Sequence, residues 1–219
     1  MCIRDRFDPA KEIATRSASG KVLEALFAGM PNIAGGSADL GPSNKSFAKG
    51  FSESGKRRVG RNLHFGVREH AMAAMANGIA LHGGLIPYGG TFLVFLDYMR
   101  GAVRLSALSE YPSIWIFTHD SIGVGEDGPT HQPVEHFASL RLIPNLIAIR
   151  PADANETAQA WRVAIQEKMP VALALTRQKT AIIDRQIYAD AAELSRGAYV
   201  LADMGDGEPD LILMASGSE

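Results

Sequence analysis

The chain has 219 residues, with 22 Lys and Arg against 24 Asp and Glu, a formal net charge of -2, 46% apolar residues and 21% charged ones. That is the make-up of an ordinary globular protein able to bury roughly 70% of its unfolded surface, and so even a charge balance excludes broad attraction to nucleic acid or anionic lipid. The single cysteine, Cys2, excludes an internal disulfide, and no apolar run nears the ~18 residues of a membrane span or forms a signal peptide, so the expected setting is the cytoplasm.

The opening six residues carry no periodicity, and 1–7 is set aside as a non-native leader. Ser17 to Ala28 then predicts a helix, followed by a strand at Asn32 to Gly35 and a turn-rich loop whose basic cluster, Lys56, Arg57, Arg58 and Arg61, is a solvated surface. Helices are predicted over Glu69 to Leu81, Phe92 to Glu110 and Asn155 to Lys168, with strands at Leu85 to Tyr88, Ser113 to Thr118, Leu146 to Ile149 and Val171 to Leu175. Pro112, Pro144 and Pro170 stand just ahead of the last three strands, where proline stops a helix and sets the chain extended. Such alternation predicts an α/β fold, a mostly parallel sheet with helices on both faces, over 8–181. Beyond Ile182 the pattern weakens, and Gly197 to Leu201 and Leu211 to Ala215 are expected to be two strands joined through Met204 to Gly207. They read as a linker and the start of a second domain, 182–219, that stops early.

Chemistry concentrates in the loop from Thr118 to Pro133, at the carboxyl end of a predicted strand, where open α/β sheets bind ligands. Gly123 to Gly128 matches G-x-G-x-x-G. Pro129 and Pro133 would interrupt the helix that motif must open, and Glu126 and Asp127 would repel a pyrophosphate, so a dinucleotide is not expected. His131 and His136 are five apart across Pro133, the wrong spacing to put two imidazoles on one helical face, and no metal held by this chain is expected. His119 and His131 instead suit hydrogen bonding to polar substrate groups and proton transfer.

Glu69 begins a predicted helix rich in Ala and Gly. It either complements the helix dipole or, if that helix packs closely, becomes a desolvated carboxyl usable as acid or base. Phe92, Phe95 and Tyr98 recur every three residues; such a stripe is either core packing or a platform for a flat heteroaromatic ligand. Arg16 ahead of the first helix, Ser43 in a loop and Arg177 after the last strand are scattered phosphate-binding candidates, because a guanidinium fork takes two oxygens at once.

Taken in order, ATR at 14 to 16, GGSADLGPSN at 35 to 44, FGVREHAM at 65 to 72, PYGGTF at 87 to 92, THDSIGVGEDGPTHQP at 118 to 133, RPAD at 150 to 153 and TRQ at 176 to 178 resemble the pyrimidine-binding domain of transketolases. The closing LILMASGSE is similar to the first strand of that family's C-terminal domain. The resemblance implies transfer of a two-carbon ketol unit between sugar phosphates in the pentose phosphate pathway, with thiamine diphosphate and a divalent ion such as Mg. By motif it implies that Glu69 hydrogen-bonds the aminopyrimidine N1′, favouring the imino tautomer that deprotonates thiazolium C2. Phe92, Phe95 and Tyr98 would form the pyrimidine pocket, with Asp39 near the cofactor. Asp127 and His131 would contact substrate hydroxyls, and Arg16, Ser43, His119 and Arg177 would bind the sugar phosphate.

The resemblance also implies that the family's Gly-Asp-Gly diphosphate and metal motif belongs to an N-terminal domain outside this chain. Gly205-Asp206-Gly207 is a decoy, with too few residues after it for the second half of that motif. The active site is expected to form between two subunits of a homodimer, the second supplying the diphosphate-binding domain, so the chain alone is expected to be inactive. A dihydroxyacetone synthase, a deoxyxylulose phosphate synthase and a non-catalytic binding or dimerisation module that kept the fold are the alternatives, with a metal-dependent hydrolase at the histidine loop as a third class.

Overall fold

The computed structural model describes residues 7–55, 59–205 and 207–219. Lys56, Arg57 and Arg58 of the basic cluster, Asp206 of the Gly-Asp-Gly triplet and the first six residues lie outside them. Six strands form one parallel sheet: β2 (Ile33–Ser37), β3 (Asn62–His64), β4 (Ile86–Phe92), β5 (Ile114–Thr118), β6 (Ile147–Ile149) and β7 (Val171–Leu175), in the order β3-β2-β4-β5-β7-β6. β1 (Glu12–Ile13) and β8 (Thr180–Ala181) make a separate antiparallel pair that joins the two ends of this unit. β1 and β8, two residues each, are too short for a period to announce them, and β3, Asn62-Leu63-His64, has one apolar residue where the equally short β6 is wholly apolar.

Each central strand is buried on both faces, and its alternate residues feed different cores. Trp115 and Phe117 point to one side, onto Met72 and Ala76 of α3 (Glu69–His82) and Met99 and Val103 of α4 (Leu96–Leu108). Ile114 and Ile116 point to the other, onto Leu23 and Phe27 of α1 (Thr15–Gly29) and Trp161 of α6 (Ala154–Gln166). The α1 and α6 layer is pinned by the buried Trp161 indole, which donates to Ser19 Oγ at 2.8 Å. α6 starts where its sequence says it must: Asp153 accepts from Glu156 N at 2.8 Å, and Glu156 reaches back to Ala152 N at 2.8 Å. Short helices α2 (Gly41–Asn44) and α5 (His136–Arg141) complete the unit.

The expected tail strands are absent: neither Gly197 to Leu201 nor Leu211 to Ala215 is a strand. Leu211, Ile212, Leu213 and Met214 stand 69–91% exposed, because an isolated two-stranded ribbon with nothing to cover its apolar face does not sustain itself. The 3₁₀ turn at Ala191–Arg196 packs against α6 instead.

Register puts the strand ends in one row: Phe92 lies beside Thr118, and Thr118 beside Leu175. From β2 the chain crosses outward to β3 and then back past β2 to β4. The gap beyond the carboxyl ends of β2 and β4 is therefore the switch point, where such sheets bind ligands.

Candidate functional site

A cavity of about 460 Å³ opens at that switch point, lined by Ala38, Asp39, Leu40, Val67, Glu69, Phe92, Phe95, Tyr98 and His131. Four separate segments converge here: the residues after β2, the start of α3, the end of β4 with the turn and helix that follow it, and His131 in the loop after β5. Asp39 follows β2 with a left-handed backbone (φ 65°). Glu69 is the first residue of α3, only 8% exposed, and enters through Gly66 at φ 67°. No side chain caps the start of α3, so Glu69 is the one acidic group in its first turn. A larger apolar groove of about 880 Å³ between β3 and α3 is lined by residues such as Leu63, Met75, Ile79 and Leu85, and holds none of the candidate side chains. Size alone therefore does not select the site; the convergence of polar and aromatic groups does.

The aromatic stripe is not one helical face. β4 runs on to Phe92, a 3₁₀ turn carries Leu93–Phe95, and α4 begins only at Leu96, so the helix predicted from Phe92 starts four residues late. The three rings nevertheless meet: Phe92 and Phe95 stack at 5.7 Å with 7° between planes, and Phe95 and Tyr98 lie 5.9 Å apart. His131 meets Phe92 and Phe95 edge-on at 5.9 and 5.5 Å. Tyr98 is 67% exposed and none of the three belongs to either main core, so the stripe is a wall of the cavity.

Beside the cavity, Arg16, Ser43, His119, Asp127 and Arg177 form a second cluster. Arg16 lies within the first turn of α1 rather than ahead of it, and Ser43 sits in the single turn of α2. Arg16 Nη1 donates to the Ser43 carbonyl at 2.9 Å and to His119 Nε2 at 3.3 Å, while its buried Nε has no partner. His119, at φ 60° directly after β5, stacks on Phe92 at 3.6 Å and so joins the two clusters. Its tautomer follows from the network. Thr118 Oγ1 donates to Asn44 Oδ1 at 3.0 Å and so accepts from His119 Nδ1 at 2.8 Å, which leaves Nε2 as the acceptor facing Arg16. Burial, with Arg16 and then Arg177 close by, pushes this imidazole down to about 4, so it is neutral at pH 7. Burial and the neighbouring Arg177 likewise hold Arg16 below its ordinary range.

Arg177 is ion-paired with Glu126, and its Nε lies 3.7 Å from Asp127 Oδ2. The loop carrying these carboxylates is two 3₁₀ turns, Ile122–Asp127 and Pro129–His131, with Gly125 and Gly128 at φ 74° and 79°. It opens no long helix, and its glycines serve the turns. Among the described residues the one group able to approach a cation is Asp97, Glu135 and His136, outside both clusters. There His136 Nε2 lies 3.2 Å from Asp97 Oδ2, tying α5 to the start of α4.

Sequence reading missed several supporting residues. Asn44 and Thr118 set the His119 tautomer. Asp120, its side chain fully buried, accepts from Arg150 Nε at 2.7 Å, and Arg150 also grips the Ser216 carbonyl at 3.0 Å and Glu219. The RPAD motif contained Arg150, but a partner 30 residues away leaves no local signal.

The profile of the transketolase pyrimidine-binding domain matches residues 11–182. The chain belongs to the transketolase family. It is 52% identical over 211 residues to a transketolase of Aquifex aeolicus, covering 95% of this chain and 30% of that protein. A crystal structure of the Pichia stipitis transketolase with sedoheptulose 7-phosphate superposes with a TM-score of 0.87 at 47% identity, over 91% of this chain and 30% of that one. A split-gene transketolase, solved as an inactive β4 tetramer, matches at a TM-score of 0.66 and 30% identity, over 80% of this chain and 55% of that one. The chain therefore spans less than a third of the length of the first two transketolases. The likeness bears out the expected α/β fold with its mostly parallel sheet. No described helix is long and apolar enough to cross a membrane.

Proposed function

We propose that this chain supplies the pyrimidine-binding half of a thiamine diphosphate-dependent transketolase site, which moves a two-carbon ketol unit between sugar phosphates. The observation that carries the reading is the meeting of a buried carboxyl, Glu69, with the rings of Phe92, Phe95 and Tyr98 in one cavity. That donor set fits an aminopyrimidine: flat apolar faces beside a desolvated oxygen able to share a proton with a ring nitrogen. Thiamine diphosphate, when bound, supplies the carbanion chemistry.

The chain's own groups then have distinct tasks. Glu69 holds a proton at the ring nitrogen, with Phe95 the stacking face and Asp39 at the cavity rim. His131, between the aromatic wall and the open side, and Asp127 face substrate hydroxyls. Arg16 and Arg177 take the substrate's phosphate; Ser43 and His119 hold Arg16 in place, and the unpartnered Arg16 Nε is a donor ready for an anion. Substrates of this kind accord with the sugar phosphates bound in the Pichia stipitis crystals.

The reading takes the diphosphate-binding domain, its divalent ion and the second subunit of a homodimer from outside these residues. It places the pyrimidine-binding domain at 8–181, with a linker and the start of a further domain over 182–219. It also expects the isolated chain to be silent in catalysis, as the split-gene β4 tetramer is described to be.

Exchanging residues 8–181 into the Aquifex aeolicus transketolase tests the reading. The chimera should transfer ketol units only with thiamine diphosphate, and Glu69→Gln should lower turnover by about 10²-fold or more. A folded, cofactor-loaded chimera without transfer, or one indifferent to Glu69→Gln, refutes it. Efficient use of formaldehyde as acceptor would move the assignment to a dihydroxyacetone synthase.

A further inference from the structure

We infer that Glu126 is a built-in competitor for the substrate's phosphate, a specificity-determining residue that tempers how tightly Arg177 holds an anion. The inference rests on reading Arg16 and Arg177 as the phosphate site.

Arg16 and Arg177 belong to one cluster: Arg16 is joined to Ser43 and His119, and Arg177 to Glu126 with Asp127 at 3.7 Å, and the charge of Arg177 adds to burial in holding Arg16 below its ordinary range. With His119 neutral the two guanidinium groups carry two positive charges. Glu126, paired with Arg177, and Asp127, 3.7 Å from it, carry two negative ones, so the site is balanced before any ligand arrives. A phosphate dianion adds two more negative charges. On Arg177 it meets Nη2 and Nε already faced by carboxylates, and of the two Glu126 is the freer to give way. Its side chain is 77% exposed and its described contacts hold it to Arg177 alone. Asp127 is more enclosed, at 34%. The backbone beside Glu126 is built for this placement, with Gly125 left-handed immediately before it.

Two consequences follow. Each ligand that needs Arg177 binds more weakly by the factor needed to displace Glu126, and the penalty grows with the ligand's negative charge. A neutral sugar, having no use for the fork, feels neither effect. Glu126 thus sets the balance between gripping phosphorylated sugars and releasing them.

The experiment is a titration of the 219-residue chain with fructose 6-phosphate, inorganic phosphate and fructose, followed by NMR, in the wild type, Glu126→Gln, Arg177→Ala and the double variant. Glu126→Gln should tighten both phosphates by about twofold to fivefold at low salt, the range of an exposed ion pair. The gain should shrink at about 0.5 M salt, which a purely structural effect would not do. Fructose should not respond, and in the Arg177→Ala background the Glu126→Gln gain should vanish. If Arg177→Ala weakens phosphate binding but Glu126→Gln leaves it unchanged or weaker, the competitor role is overturned while the phosphate site stands. If Arg177→Ala has no effect, or no variant binds phosphate, the phosphate site itself fails and the inference with it.

Discussion

His119 shows how much a single side chain can carry. Its left-handed backbone, its stack on Phe92 and its hydrogen bonds to Thr118 and Arg16 fix one tautomer in a site too dry for the imidazolium. The folded value near 4 lies below the ordinary 6.5. Between those values the unfolded chain takes up a proton that the folded chain refuses, so this group's contribution to stability is present above about pH 6.5 and is lost as the pH falls toward 4. Denaturant unfolding should show His119 alone removing about 2 kcal/mol between pH 7 and pH 5, and His119→Gln should flatten that slope. Equal slopes in both proteins would deny the histidine this role. In the sequence the family motifs grouped His119 with Arg16, but its burial, its tautomer and the role of Asn44 and Thr118 left no local signal. Glu69 was legible as a choice between dipole complement and buried acid; the packing of α3 on β4 and α4 decides for burial.

At the level of elements, hydrophobic period and proline punctuation located the four long helices and every strand of the parallel sheet except β3, because burial on both faces leaves continuous apolar runs in the central strands. The start of α4 was misplaced because Phe92, Phe95 and Tyr98 mimic a helical stripe while belonging to a strand end, a 3₁₀ turn and a helix. The tail strands were over-read because local β-propensity does not supply a partner. What ties the elements together is equally non-local. Burial lifts the Asp120 carboxyl above its ordinary range, with Arg150 opposing, and the pair fastens the loop after β5 to the loop after β6 and to Ser216. Arg150→Met should therefore cost about 3–5 kcal/mol by stranding a buried carboxylate, and adding Asp120→Asn should restore part of it. Additive losses in the double variant would show that the two do not act as a pair.

For the whole molecule, both main cores are complete within this unit, one on each side of the sheet, yet apolar side chains remain on its surface. Val67, Met75, Leu81 and Leu85 stand 44–74% exposed around α3, beside the groove of about 880 Å³. If the proposed homodimer covers this face, sedimentation should show concentration-dependent self-association that Met75→Glu abolishes. A chain that stays monomeric, or a variant that associates as well as the wild type, would place the subunit contact elsewhere.

The join between α1 and the segment after β7 has a different consequence. Thr15 and Thr176 clasp each other, N to Oγ1 at 3.0 Å and again at 2.7 Å in the reverse sense, across 161 residues of sequence. Arg16 and Arg177 are the very next residues on the two sides of that clasp, one in the first turn of α1 and the other just after β7. The paired guanidiniums therefore come into being only when the chain has shut its ring, so anion affinity is a late-arriving property of refolding, and a bound anion should guard the seam between first helix and last strand against proteolytic nicking.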